Sequence, residues 1–406
     1  MESHCSELPF RRRIDSCHDR IKTTIIGGSP SRSRTFSPRS VAELPGNRVI
    51  EEQAALSCRI NSKSIPSVVG TKRKFPFDAS FAIVPTIVPC IPSPLPSSSN
   101  STSVNLRHRL VCDEMVEWLA TQSCSKTNPP VSELWLGPVF ESSATVLSAI
   151  ATLPSTVTHL DLDLRNALHL VPQAMPLLMS KQHLKSLSVR VFGDSGAIDL
   201  ARELHRNPHL EQLDVRGNRI GSFGTRALVK AVIASENSLS KLFLSCNCIL
   251  DGDMIGLLLS CTQQLQSLDL AFNWLGDEGV EHICEGLCKN KSLQELNLYG
   301  CHRISNAGLR TILDCVQYYN TSLHEIRLQT FDEEGEGLVR RINHFLALNK
   351  AGRYLVQSNN PVPESLWPLV LAKSNQTPDS LFYLIREAIG PSKAGKTNRT
   401  QRDARM

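Results

Sequence analysis

Aromatic residues are scarce in this 406-residue chain, at 5% of positions, so any core must be built from aliphatic side chains. No run of about 18 apolar residues occurs, which leaves nothing of the length a membrane-spanning helix needs. No charged n-region followed by an apolar stretch opens the chain, so a secretory leader is not expected. The thirteen cysteines include no CxxC pair. They read as reduced thiols, in keeping with an address in the cytoplasm or nucleus. GxSxG, HExxH and Cys/His sets at zinc spacing are all missing. Catalysis, a metal and a cofactor are therefore not expected.

One phosphate-loop pattern is present, GPSKAGKT at Gly390–Thr397. It lacks the preceding strand that would aim its N–H groups at a phosphate, and reads as a chance match in a basic tail. Cys246-x-Cys248 is too closely spaced for usual zinc sites. His282 has no Asp or second His at ligand spacing.

What is present is a period. The pattern Leu-x-x-Leu-x-Leu, with Val or Ile as substitutes, begins at Val157, Leu184, Leu210, Leu239, Leu265, Leu293 and Leu323, with an earlier copy at Val131. Successive starts lie 26, 27, 26, 29, 26, 28 and 30 residues apart. Within each copy the apolar period changes from 2 to 3.6, a strand followed by a helix. Gly224–Ser235, Met254–Cys261, Glu278–Lys289 and Ala307–Tyr318 are the clearest helical stretches. Repeats of this length bury their apolar faces by stacking on their neighbours, so about seven or eight of them make one elongated α/β domain.

Charge divides the chain into three. Residues 1–110 carry +8, residues 111–390 carry −7 and residues 391–406 carry +4. An acidic body between basic tails argues against nucleic acid as the ligand of the repeats. Residues 1–106, rich in Ser, Pro and Arg, lack sustained periodicity and are expected to be disordered. They include Ser-Pro pairs at Ser29 and Ser37, the basic cluster Lys72–Lys74 and a proline-punctuated stretch at Ile83–Pro96. Residues 107–130 are expected to form an N-terminal capping helix with Asp113 as N-cap, and 131–330 the repeats. Residues 331–390 should hold C-terminal capping helices, entered through an acidic turn at Asp332–Glu336, and 391–406 a disordered basic tail. The sequons at Asn100, Asn290, Asn320, Asn375 and Asn398 would matter in a secreted chain alone.

The fullest copies read LEQLDVRGNRI, LSKLFLSCNCI, LQSLDLAFNWL and LQELNLYGCHRI. Asn218, Asn247 and Asn273 share one place, taken by Cys301 in the fourth, and are assigned the structural role of satisfying backbone groups at the narrow corner. Of Phe272 and Trp274, which flank Asn273, Phe272 is expected to pack inside. This unit resembles the ribonuclease-inhibitor-like class of leucine-rich repeat proteins over residues 131–330. The closing segment, with LNKAGR at Leu348 and the stretches SLWPLVLAKSN from Ser365 and PDSLFYLIREAI from Pro378, resembles that of microalgal repeat proteins.

The resemblance implies a right-handed β-α horseshoe with strands on the concave side. By register it directs Asp161, Asp163, Arg190, Asp214, Arg216, Phe243, Asp269, Asn297, Tyr299 and Arg327 out of that face. Asp161, Asp214 and Asp269 fall in the central column, with Phe243 and Tyr299 nearby. Such a face suits a protein partner with a basic surface and one or two apolar anchors. The expected function is a non-catalytic, monomeric interaction scaffold whose partner is unknown. A regulator of a small GTPase, as the resemblance to the scaffold of Ran GTPase-activating proteins implies, and a ubiquitin-ligase substrate adaptor are the alternatives. No convincing F-box lies between Val111 and Pro130, and the basic C-terminus departs from the acidic tail of the Ran regulators.

Overall fold

The computed structural model describes residues 103–122, 131–191, 193–235, 238–353 and 367–374. The Ser/Pro/Arg-rich segment as far as residue 102, the helix expected from Pro378, the Gly390–Thr397 match and the basic tail lie outside the described residues.

The alternating apolar residues of each repeat build nine short parallel strands: β1 (Ser103–Leu106), β2 (Glu133–Leu136), β3 (His159–Asp163), β4 (Ser186–Arg190), β5 (Gln212–Asp214), β6 (Lys241–Phe243), β7 (Ser267–Asp269), β8 (Glu295–Asn297) and β9 (Glu325–Arg327). They hydrogen-bond in strict sequence order, β1 to β9, as one open sheet. Between and after them run helices α1 (Asp113–Gln122), α2 (Ser143–Ala151), α3 (Val171–Met179), α4 (Gly193–Glu203), α5 (Ser222–Ala234), α6 (Asp253–Cys261), α7 (Asp277–Lys289), α8 (Asn306–Asp314), α9 (Glu333–Lys350) and α10 (Trp367–Ser374). From β1 to α9 strand and helix alternate, a leucine-rich repeat solenoid.

With side chains alternating across the pleat, every second strand residue faces the helices. Leu134, Leu160, Leu187, Leu213, Leu242, Leu268 and Leu296 pair in register as one inward row, each at most 2% exposed. Leu136, Leu162, Val189, Val215, Leu244, Leu270 and Leu298 make a second buried row. These two rows and the apolar faces of the helices are the core.

The array starts earlier than the periodicity places it. Ser103–Leu106 is a strand paired in parallel with β2, so the last four residues of the 1–106 segment are ordered. The helix at Asp113–Gln122 belongs to a complete strand–helix repeat instead of a separate cap. Its expected N-cap, Asp113, is the helix's first residue, and its Oδ1 accepts the Thr145 hydroxyl at 2.8 Å, tying the first two repeats together. At the other end the acidic turn expected at Asp332–Glu336 is the opening of α9. Asp332 caps it by accepting Gly335 N–H at 2.6 Å, and Glu333, Glu334 and Glu336 complement the helix dipole.

Two ladders of buried asparagines tie neighbouring turns. In the first, Asn218 donates to Val189 O, Asn247 to Val215 O and Asn273 to Leu244 O, each at 3.0 Å. Cys301 stands in this ladder, its Sγ donating to Leu270 O at 3.4 Å. The second ladder runs along the helix C-termini. Asn207, Asn290, Asn320 and Asn349, all fully buried, donate to the backbone carbonyls of the preceding turn, as Asn290 does to Leu259 O and Thr262 O at 2.8 Å. Two of the five sequons thus carry buried asparagines.

Burial pushes the Cys301 thiol up to about 11 from an ordinary value near 9, with the Asp269 carboxylate adding to the rise against a lowering Asn273 backbone hydrogen bond. A hydrogen bond with the Cys315 thiol and then burial raise Cys288, and a hydrogen bond with the Cys284 thiol and burial raise Cys315 against a lowering one with Cys288. A raised folded-state pKa contributes stability that is complete below pH 9 and is lost as pH climbs towards 11. Cys301 alone then accounts for a decline on the order of 2–3 kcal/mol. Urea titrations between pH 8 and pH 11 should show a shallower decline in Cys301→Ala than in the parent. Parallel curves would refute the assignment.

Candidate partner-binding face

The register lines the outward strand residues into columns. The central one runs Trp135, Asp161, Ser188, Asp214, Phe243, Asp269, Asn297 and Arg327 across β2 to β9. Asp163 and Arg190 pair directly in the next column, and Arg216 and Tyr299 follow two residues beyond Asp214 and Asn297 on their own strands.

Local chemistry treats these side chains unequally. At strand ends an Asp or Asn accepts the N–H two residues on, an Asx turn that closes the strand where ladder partners run out. Asp163 does this for Arg165, Asp214 for Arg216, Asp269 for Ala271 and Asn297 for Tyr299, at 3.0–3.1 Å. In the first two turns the arginine also clamps its carboxylate. Arg165 Nε and Nη2 reach both oxygens of Asp163, the shortest contact at 2.7 Å, and Arg216 does the same to Asp214, the shortest at 2.6 Å. Both aspartates are buried, and these hydrogen bonds raise each arginine's pKa against the opposing effect of burial. Asp161 is held by Arg107 Nη2 at 2.8 Å and Ser188 Oγ at 2.9 Å.

Of the three central aspartates, then, two are neutralised within the chain. Asp269 is different: Oδ1 takes the Ala271 N–H, and among the described residues nothing donates to Oδ2. Beside it the surface turns aromatic. Phe243 is half-buried with the Arg216 guanidinium 5.2 Å from its ring centre. Tyr299 is 45% exposed and meets Phe272 edge to face, with centroids 5.6 Å apart.

Phe272 is not in the core. It is 49% exposed and sits at φ +54°, the left-handed region that bulky side chains avoid. The corresponding positions, immediately before the ladder Asn or Cys, are Gly217 at φ +68°, Cys246 at +57° and Gly300 at +75°. The turn dictates the conformation, and an aromatic tolerates it here at a cost of about 1–3 kcal/mol. Trp274 is the more covered of the pair, stacked with Arg303 at 5.4 Å. Phe272→Gly removes the strain and the edge-to-face contact together, so the unfolding free energy should stay within about 1 kcal/mol of the parent by urea titration. A loss above about 3 kcal/mol would mean that the ring is structural.

Sequence reasoning missed Trp135, Arg107 and Arg165 on this face. The signal for Arg165 and Arg216 was the Asp-x-Arg spacing, which puts both side chains on one side of a strand end. Among the described residues no group of three or more His, Cys, Asp or Glu has metal-holding geometry, and no helix is long and apolar enough to cross a membrane.

Comparison with known proteins places the repeats. The family model described as "Leucine Rich repeat" matches residues 206–229, 263–284 and 289–313. Human NACHT, LRR and PYD domains-containing protein 12 is 37% identical over 153 residues, covering 35% of this chain and 14% of that protein. Pig ribonuclease inhibitor is 28% identical over 137 residues, or 33% of this chain and 30% of the inhibitor. A Dictyostelium discoideum protein named Rho GTPase-activating protein gacW is 30% identical over 159 residues, 36% and 14% of the two chains. The chain spans less than a third of the length of these relatives.

Proposed function

We propose that this chain, which is a leucine-rich repeat protein of the ribonuclease-inhibitor-like class, works as a non-catalytic scaffold that binds a protein partner on the outward face of its strands. The observation that carries the reading is the set of unequal costs on that face. Half-exposed Phe272 and Tyr299, one of them in a strained conformation, stand next to Asp269, whose Oδ2 accepts no hydrogen bond among the described residues. Neither the backbone strain at Phe272 nor the unbonded oxygen of Asp269 stabilises the fold. Rigid aromatics with few rotamers and a desolvatable charge are what interface hot spots are made of. The binding residues under this reading are Phe243, Asp269, Asn297, Tyr299 and Arg327, with Phe272 added. Asp161, Asp163, Arg190, Asp214 and Arg216 form the polar rim.

A monomer in the cytoplasm or nucleus fits this role, supported by the eight described cysteines, all free thiols, and by the buried sequons Asn290 and Asn320. Affinity purification from the native cell tests the proposal. The triple variant Phe243→Ala, Phe272→Gly, Tyr299→Ala should lose the specific partners that the parent retains, while a triple alanine variant of exposed residues on α5 and α9 keeps them. Retention of every partner by the strand-face variant would end the proposal.

A second reading, a regulator of a small GTPase, draws support from the similarity to the protein named as a Rho GTPase-activating protein. Unchanged GTP turnover by small GTPases on addition of this chain would dispose of it.

A further inference from the structure

The turns that lead from the strands into the helices differ in length. Asn218 stands four positions before Ser222 at the start of α5, and Asn273 four before Asp277 at the start of α7, but Asn247 stands six before Asp253 at the start of α6. Ile220, Ile249 and Leu275, each two positions past its ladder asparagine, are fully buried, so core packing is complete before the two extra residues are reached. The added length brings Leu250 and Asp251 to the surface, with Leu250 48% exposed.

This bulge is held on both sides. Asp251 Oδ2 accepts the Ser222 hydroxyl at 2.7 Å, and Trp274 N–H donates to Ile249 O at 2.9 Å. Between the bulge and the next two turns lies a groove of about 590 Å³, lined by Leu250, Asp251, Asp253, Trp274, Glu278 and Arg303. The Arg303 guanidinium lies over the Trp274 ring at 5.4 Å. Walls fixed in this way need little ordering when something binds.

Two properties define what fits. Leu250 and Trp274 offer apolar surface, and the charge is one-sided: the carboxylates of Asp251, Asp253, Asp277 and Glu278 face a single guanidinium, Arg303, with His282 beside it. Arg226 approaches Asp253 at 3.5 Å, both groups being about half exposed. Asp277 accepts neutral donors, the Ser305 hydroxyl and N–H and the Gly308 N–H, which leave its charge in place. Leu250, Asp251, Asp253, Glu278 and Arg303 are all exposed, so the walls are low. A small molecule there would stay largely in water, whereas a chain segment laid along the groove covers both walls.

We propose that this groove is a second docking site, for a basic segment of a protein partner that seats an apolar side chain between Leu250 and Trp274 and lays Lys or Arg beside Asp251, Asp253 and Glu278. Charge complementarity selects the segment's sign, and the apolar pair gives it an anchor. The site lies on the strand-to-helix turns, apart from the strand face, and does not depend on the reading of that face.

Random dodecapeptides displayed on phage are selected on the full chain and counter-selected on the Leu250→Ser, Glu278→Lys double variant. Both side chains are exposed, so the variant should keep the parent's urea midpoint; if it does not, Glu278→Gln takes its place. Recovered sequences, remade with a fluorophore for anisotropy titration, should carry Lys or Arg on both sides of a large apolar residue. Leu250→Ser alone should weaken their binding about tenfold and Glu278→Lys about fivefold, while Phe243→Ala with Tyr299→Ala changes it by less than about twofold.

Recovery of no peptide that distinguishes the variant, recovery of neutral or acidic ones, or an equal loss with the Phe243 and Tyr299 variant overturns the inference. Light scattering on the same full chain covers the other occupant: a dimer that dissociates in Leu250→Ser, Glu278→Lys would put a second copy in the groove and overturn the partner assignment. None of these results bears on the strand face, which stands or falls on its own variants.

Discussion

Asn247→Ala should lower the unfolding free energy by about 3–5 kcal/mol, a large share of what a domain of this size has to lose. The side chain makes five hydrogen bonds. Oδ1 accepts Asn218 N–H and Ile220 N–H at 3.0 Å each, and Nδ2 donates to Val215 O, Leu244 O and Ser245 O at 3.0, 2.9 and 3.4 Å. Alanine leaves two backbone N–H groups buried without a partner, each costing about 1–3 kcal/mol, and opens a void where an amide had packed. Because a solenoid repeat is held by its neighbours, the loss should appear as weakened coupling between the turns on either side, with a broadened urea transition. Asn247→Asp restores the acceptor but removes the donor and buries a charge, so it should not rescue. A change below 1 kcal/mol in Asn247→Ala would show that water replaces the amide and that the ladder is not what joins the repeats.

Gly286→Ala should cost about 3 kcal/mol for a single methyl group. Helices α6 and α7 approach so closely that a Cβ at Gly286 would meet Gly256 O at 2.3 Å, and one at Gly256 would meet His282 O at 2.2 Å. The obstacle is backbone on both sides, so no rotamer change relieves it and the two repeats must separate. Gly337 is the control. It too is helical, in α9, but a Cβ there has nothing within 4 Å, so Gly337→Ala should be neutral or stabilise by up to about 1 kcal/mol through helix propensity alone. Equal effects at the two glycines in urea denaturation would contradict the close approach of α6 and α7.

The strand register was legible because period-2 patterning leaves one way to bury the leucines. Residues 161, 188, 214, 243, 269, 297 and 327 therefore fall in one column from the sequence alone. The corner asparagines were legible for the same reason, one fixed offset from the leucines. What escaped were features that the repeat consensus does not encode. Strand β1 (SVNL) carries no Leu-x-x-Leu-x-Leu and forms because β2 offers it an edge. The second asparagine ladder has a signal, Asn-x-x-Leu at Asn207, Asn290 and Asn320, each three residues before a leading leucine. At Asn290 and Asn320 that signal coincides with a glycosylation motif.

Phe272 went against expectation because side-chain preference argues for burial and a right-handed backbone. The turn shared with Gly217, Cys246 and Gly300 overrides both. Charge was the least legible property. Counting aspartates gave an acidic face, whereas Arg165, Arg216 and Arg107 neutralise most of it through contacts that depend on where each strand ends. Asp269 emerges as different from Asp161 and Asp214 once those contacts are known.

The central claim is that binding falls on the outward residues of β6 to β9 and their following turns. Amide hydrogen–deuterium exchange of the full chain, alone and in complex with a co-purified partner, tests it most directly. The account predicts added protection at residues 243–247, 269–274 and 297–301, and no change along α5 to α8. Protection confined to the helices, or to β2–β4 with the 269–274 turn unaltered, would contradict it.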